Sequence, residues 1–191
     1  GLRVTPTGFK METDNYSVNG SVHDYIYIAI RRGPMAVPTA ATDVFDVDAI
    51  TTPPTTGNTY TSSFEAPDLL ASRRRDASQN WQFTPRLTSR ILMSSSTAAE
   101  QTIQYNSFDL QDGVDWTANW SNDAGNYIQY FWKRAPNYFD VTCHTANGQP
   151  TQEINHNLGV VPEMAWIKSR NNANNWFVYH KDLTSGKNLI L

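Results

Sequence analysis

Four histidines (His23, His144, His156, His180), one cysteine (Cys143) and 18 acidic residues are the side chains from which a hydrolytic or metal-dependent site would be assembled. No two histidines stand at a metal-binding spacing such as H-x-x-x-H. Cys143 and His144 are adjacent, so in a strand they point to opposite faces and form no nucleophile–base dyad. One cysteine excludes an internal disulfide and any cysteine-based zinc site. The chain has no G-x-S-x-G elbow, phosphate loop or EF-hand loop. A glycosidase needs two carboxylates brought from distant strands to one cleft, which linear spacing does not display. The expectation is a protein that is not an enzyme and needs no cofactor and no metal.

Aromatic residues offer a different chemistry, because an indole face can stack on a sugar ring. There are six Trp, nine Tyr and eight Phe. Trp116 and Trp120, in Asp115-Trp116-Thr117-Ala118-Asn119-Trp120, are the candidates for exposed glycan contact. Trp81 and Trp176 each follow a polar loop directly. They read as core residues closing a sheet, with a sugar platform as the alternative. The basic clusters Arg31-Arg32, Arg73-Arg74-Arg75 and Lys133-Arg134 fall at predicted strand ends, where charge discourages edge pairing.

The elements that must position these residues are β-strands. Tyr25 to Arg32 alternates, with Ile26, Ile28 and Ile30 on one side, and is dominated by β-branched and aromatic residues. Tyr127 to Arg134 places Ile128, Tyr130 and Trp132 on the matching face, which predicts that this face is core. Asp68–Ala77 and Glu163–Arg170 read as strands, each followed by a polar loop and a second strand opening on Trp81 or Trp176, hence a hairpin. Further strands are predicted near 8–13, 44–50, 90–95, 103–110, 115–120, 138–144, 151–156 and 188–191. Thr97–Gln101 reads as one helical turn.

Three blocks of sequence recur. Phe45-Asp46-Val47 returns as Phe139-Asp140-Val141. Pro67–Trp81 returns without a gap as Pro162–Trp176, with Asn80-Trp81 matching Asn175-Trp176. Tyr25-Ile26 through Arg32-Gly33-Pro34 returns as Tyr127-Ile128 through Arg134-Ala135-Pro136. The spacings are 94, 95 and 102 residues. One complete repeat therefore spans 44–137. It is preceded by the C-terminal half of a copy, 1–34, and followed by the N-terminal half of another, 138–191. The expected fold is all-β: an antiparallel β-sandwich, jelly-roll or concanavalin-like, in tandem repeats of about 95 residues. The two halves are expected to complete a second sandwich, within one chain or between chains. The start at Gly1-Leu2-Arg3-Val4 and the apolar end Asn188-Leu189-Ile190-Leu191 read as a piece of a longer protein.

Composition narrows the class. The 191 residues carry a net charge of −3 with a pI near 5.7, and 12% are aromatic. A disordered chain is poor in aromatics, and a mildly acidic one is a poor nucleic-acid binder. The longest strongly apolar run, Tyr25–Ile30, is far too short for a membrane helix.

Phe139-Asp140-Val141, then Ile154-Asn155-His156-Asn157-Leu158-Gly159-Val160-Val161-Pro162-Glu163-Met164, then Asn175-Trp176-Phe177-Val178-Tyr179-His180-Lys181 together resemble a repeat of large virion proteins of marine bacteriophages, often labelled tail-fibre-like or structural. Thr5–Phe9 through Tyr25–Ala29 resembles the closing part of the same repeat. The central copy departs from the pattern at Phe64-Glu65-Ala66-Pro67 and Thr84-Pro85. The resemblance implies a non-enzymatic virion component assembled in the host cytoplasm. Its partners would be other virion subunits, copies of itself and host-surface glycans. It carries over no site residues. A secreted bacterial adhesin or carbohydrate-binding module, extracellular, is the alternative.

Overall fold

The computed structural model describes residues 2–5, 8–11, 35–51, 59–101, 106–116, 125–184 and 186–191. The chain divides into two compact units, Gly1–Met35 and Ala36–Leu191. In the first, β1 (Leu2–Thr5) pairs antiparallel with β2 (Gly8–Met11), from Leu2↔Met11 to Thr5↔Gly8. Tyr25–Arg32, expected as a strand, lies outside the described residues.

The second unit opens with one 3-10 turn, Ala41–Asp43. Its geometry follows from Asp43, whose Oδ2 accepts hydrogen bonds from Thr39 N (2.9 Å), Thr39 Oγ1 (3.1 Å) and Ala40 N (2.9 Å). These bonds, led by the one from Ala40, hold the Asp43 carboxyl below its ordinary pKa.

The strands that follow are β3 (Phe45–Ile50), β4 (Thr59–Thr61), β5 (Leu69–Arg74), β6 (Gln82–Pro85), β7 (Leu92–Met93), β8 (Asn106–Ser107), β9 (Gly113–Trp116), β10 (Tyr127–Trp132), β11 (Met164–Ile167), β12 (Phe177–His180) and β13 (Leu189–Ile190). They form three sheets with orders β3-β10-β5-β6-β7, β4-β9-β8 and β11-β12-β13. Every pairing is antiparallel. The fold is all-β, as the alternation in the sequence predicts, and almost free of helix.

The five-stranded sheet and the β4-β9-β8 sheet share one core. Phe64, Leu70, Phe108, Val114 and Phe131 are buried together, with Tyr60 packed against them. Each such side chain contributes roughly 1.5–3 kcal/mol through burial. Gly113 lets the two strands meet, because a Cβ there would collide with the backbone of Tyr60 and Thr61. Arg86 ties the sheets from one end of β6. Its Nε donates to Pro67 O and its Nη1 to Phe108 O, both at 2.6 Å, and its guanidinium lies 4.9 Å from the Phe108 ring centre.

Several sequence expectations need correction. On β10 the face inside this core is Tyr127, Gln129 and Phe131, each fully buried, while Ile128, Tyr130 and Trp132 are only half-buried. Both faces of β10 are covered, one by the second sheet and the other in part by Phe45, Trp81 and Phe139, so residue size does not mark the core side. Residues 138–144 form no strand beyond a bridge from Phe139 to Ala135, and 151–156 is irregular and exposed. Among the described residues neither segment has a partner strand to complete a ladder. Thr97–Gln101 is not helical; Glu100 N instead donates to Arg170 O at 2.7 Å.

Candidate functional site

Among the described residues no group of three His, Cys, Asp or Glu side chains gathers to hold a metal ion. Cys143, His144 and His156 are exposed. The His156 and His180 rings serve local turns, each Nδ1 accepting a backbone N–H two residues on, from Leu158 and Asp182, at 3.3 Å. His23 lies outside the described residues.

Trp116 is not the exposed ring expected of it. It is 1% exposed, packed edge-on to Tyr60 (centroids 6.3 Å apart) and near Tyr127 (6.4 Å). Strand alternation turns it to the interior, with Val114 on the same side, both fully buried. Trp120 lies outside the described residues. Trp176 is buried at 6% exposure, and its Nε1 donates to Met93 O at 2.7 Å, as a core tryptophan should. Trp81 is half-buried and stacks on Tyr130, with centroids 4.8 Å apart and planes tilted by 31°.

Two members of the basic clusters are ion-paired. Arg74 Nε bonds Asp76 Oδ1 and Arg134 Nε bonds Asp140 Oδ1, each at 2.5 Å. Arg31 and Arg32 lie outside the described residues.

Two surfaces missed from the sequence stand out. The first is an aromatic strip on the outer face of the five-stranded sheet. Phe45, Tyr130 and Trp132 touch at centroid distances of 5.2–5.9 Å, and Trp81 extends the strip along Tyr130. Phe83 continues it to Trp166 (5.5 Å) and Trp176 (5.7 Å) of the C-terminal segment. The paired register of Val47, Tyr130, Ala71 and Phe83 was the signal that would have revealed it.

The second is the C-terminal sheet. In it Ile167, Phe177 and Ile190 form one cross-strand row, with Ala165 and Tyr179 in the next, all on one face. Ile167 (54%), Phe177 (45%), Tyr179 (43%) and Ile190 (59%) are exposed. Arg170 holds the sheet to the rest of its unit through a two-point ion pair with Glu100, at 2.8 and 3.0 Å. Both surfaces leave large apolar side chains at least partly exposed.

No curated protein and no solved structure matches the chain. A family model described as a domain of unknown function (DUF7483) matches residues 40–191, and the chain, most of which that match covers, belongs to this family.

Proposed function

We propose that the chain is a non-enzymatic structural module of a bacteriophage virion, part of a tail or tail-fibre protein built from β-sandwich repeats of about 95 residues. The observation that carries the repeat reading is a shared register. Hairpin β5–β6 pairs Leu69↔Pro85 through Ser72↔Gln82, and hairpin β11–β12 pairs Met164↔His180 through Ile167↔Phe177. Every partner is displaced by 95 positions. A side-chain motif recurs as well. Asp46 accepts from Val47 N (2.9 Å) and Ser63 N (2.7 Å); Asp140 accepts from Val141 N (3.0 Å) and Asn157 N (2.7 Å). Two antiparallel sheets sharing a core support a sandwich, of jelly-roll or concanavalin-like type.

The resemblance to marine phage virion repeats supplies the location. The module would be a rigid spacer assembled in the host cytoplasm, contacting other virion subunits, copies of itself and host glycans. Repetition gives length and multivalent contact. The half-buried aromatic strip around Trp81 and Tyr130 favours a second reading, an extracellular adhesin or carbohydrate-binding module. An antibody against the chain tests the choice. Labelling of purified phage particles supports the virion reading; label on bacterial surfaces with bare particles supports the adhesin. A glycan array then asks whether the strip binds sugar, with Trp81→Ala as the control.

A further inference from the structure

The run Arg73-Arg74-Arg75 does not guard a sheet edge, because β5 lies between β10 and β6. Alternation divides the run between the two faces. Arg74 stands opposite Tyr127, on the core side, and its Nε bonds Asp76 Oδ1. Arg73 stands opposite Ile128, on the outer face with Tyr130 and Trp132. The ladder continues through Arg75 N, which donates to Asn126 O at 2.7 Å, so Arg75 returns to the outer side. Two residues along a strand span about 7 Å, which lets both guanidinium groups reach one anion.

Among the described residues neither arginine has an acidic partner. Arg73 Nε is buried without a hydrogen bond. Asp76, the next acid along the chain, already accepts from Arg74 Nε and from Asn126 N at 3.0 Å. Displaced by 95 positions, Arg73 and Arg75 correspond to Lys168 and Arg170. Those two are engaged in internal contacts: Lys168 Nζ donates to Thr97 O at 3.2 Å, and Arg170 pairs with Glu100. The arginines of β5 also stand beside an aromatic surface. Continuing the β5–β6 register by one residue sets Trp81 opposite Arg73. Ala71, opposite Tyr130, is small and 1% exposed, so the Trp81 and Tyr130 rings close over it, 4.8 Å apart.

We propose that this face binds an acidic polysaccharide, with a sugar ring on Trp81 and Tyr130 and its carboxylate or sulfate forked by Arg73 and Arg75. A planar guanidinium matches either anion at two points, and the indole and phenol rings offer the sugar an apolar face. The inference rests on the sugar reading of the aromatic strip and adds the charge of the ligand. The chain carries a net charge of −3, so bulk attraction does not draw a polyanion to it and the recognition is local. The same balance disfavours nucleic acid, whose binding is carried by many phosphate contacts on a broadly basic surface.

An array of neutral, carboxylated and sulfated oligosaccharides tests it with the full chain. Signal is expected in the acidic arms only, and the stronger arm identifies the anion. Calorimetric titration of the best acidic oligosaccharide should show binding about tenfold weaker for Arg73→Gln and for Arg75→Gln. Arg75 is exposed, so its variant should melt as the unmodified chain does and carries the test if Arg73→Gln folds poorly. Lys187→Gln removes the same charge from an exposed position of the C-terminal segment and should leave binding unchanged. Equal binding of neutral sugars overturns the inference and leaves the sugar reading of the strip standing; no binding in any arm overturns both. Acidic-sugar binding that survives Arg75→Gln, an equal loss with Lys187→Gln, or tighter binding of oligothymidylate also overturns the inference.

Discussion

Gln129 lies fully buried in the middle of β10, and among the described residues no group hydrogen-bonds either end of its amide. Ser72, directly opposite on β5, is equally buried, and its hydroxyl is also unpaired. A buried amide without a protein partner costs about 1–3 kcal/mol. Gln129→Met is therefore expected to raise stability by about that amount, read as a higher urea midpoint with an unchanged slope. Asp76 makes the opposite kind of contribution. Arg74, and then the Asn126 backbone, hold its carboxyl below the ordinary value of 3.8. The stabilisation is complete above 3.8 and is lost as pH falls through the lower folded value. Asp76→Asn should flatten that part of the acid-unfolding curve and leave the alkaline side unaltered. Neither effect was legible in the sequence, because a glutamine in an alternating strand looks like any outward-facing residue until the second sheet is placed over it. Trp116 misled for the same reason. Asp115-Trp116 fixes alternation but not which side is in.

At the scale of elements the reading from sequence went further. The hairpins opening at Leu69 and Met164 were legible because two similar segments constrain one another. Asp68–Ala77 alone fits a helix, but Glu163–Arg170 does not, and β5 and β11 are strands. Residues 138–144 failed as a strand because a strand is a property of a pair, and the sequence of one member does not supply the other. β4 was missed because Thr59–Thr61 is short and follows a Pro- and Thr-rich run. Arg86 joins elements that no pattern connects. Three of its nitrogens face the carbonyls of Pro67, Phe108 and Leu110. Lysine has no planar fork to reproduce this. Arg86→Lys is expected to destabilise by about 1.5–3 kcal/mol, checked by thermal or urea unfolding.

For the whole molecule, the clearest signal in the sequence was the recurrence of three blocks, and what it left open was how the C-terminal segment is seated. The C-terminal segment is seated on the rest of its unit by Trp166 and Trp176 against Phe83 and by Arg170 against Glu100. Residues 36–191 should consequently unfold in one cooperative transition by calorimetry. Residues 44–137 should also unfold cooperatively, at lower temperature, because their outer aromatic face loses its cover. Two separate transitions in 36–191 would contradict this. The seating has an optical consequence too. Trp166 and Trp176 are held 6.3 Å apart with their planes at 78°. Indole transitions locked so near and so steeply inclined exchange excitation and split into a circular-dichroism couplet of opposite signs. The protein thereby carries its own gauge of the C-terminal sheet: Trp166→Phe should erase the couplet, and loosening of the sheet should weaken it, without any added dye.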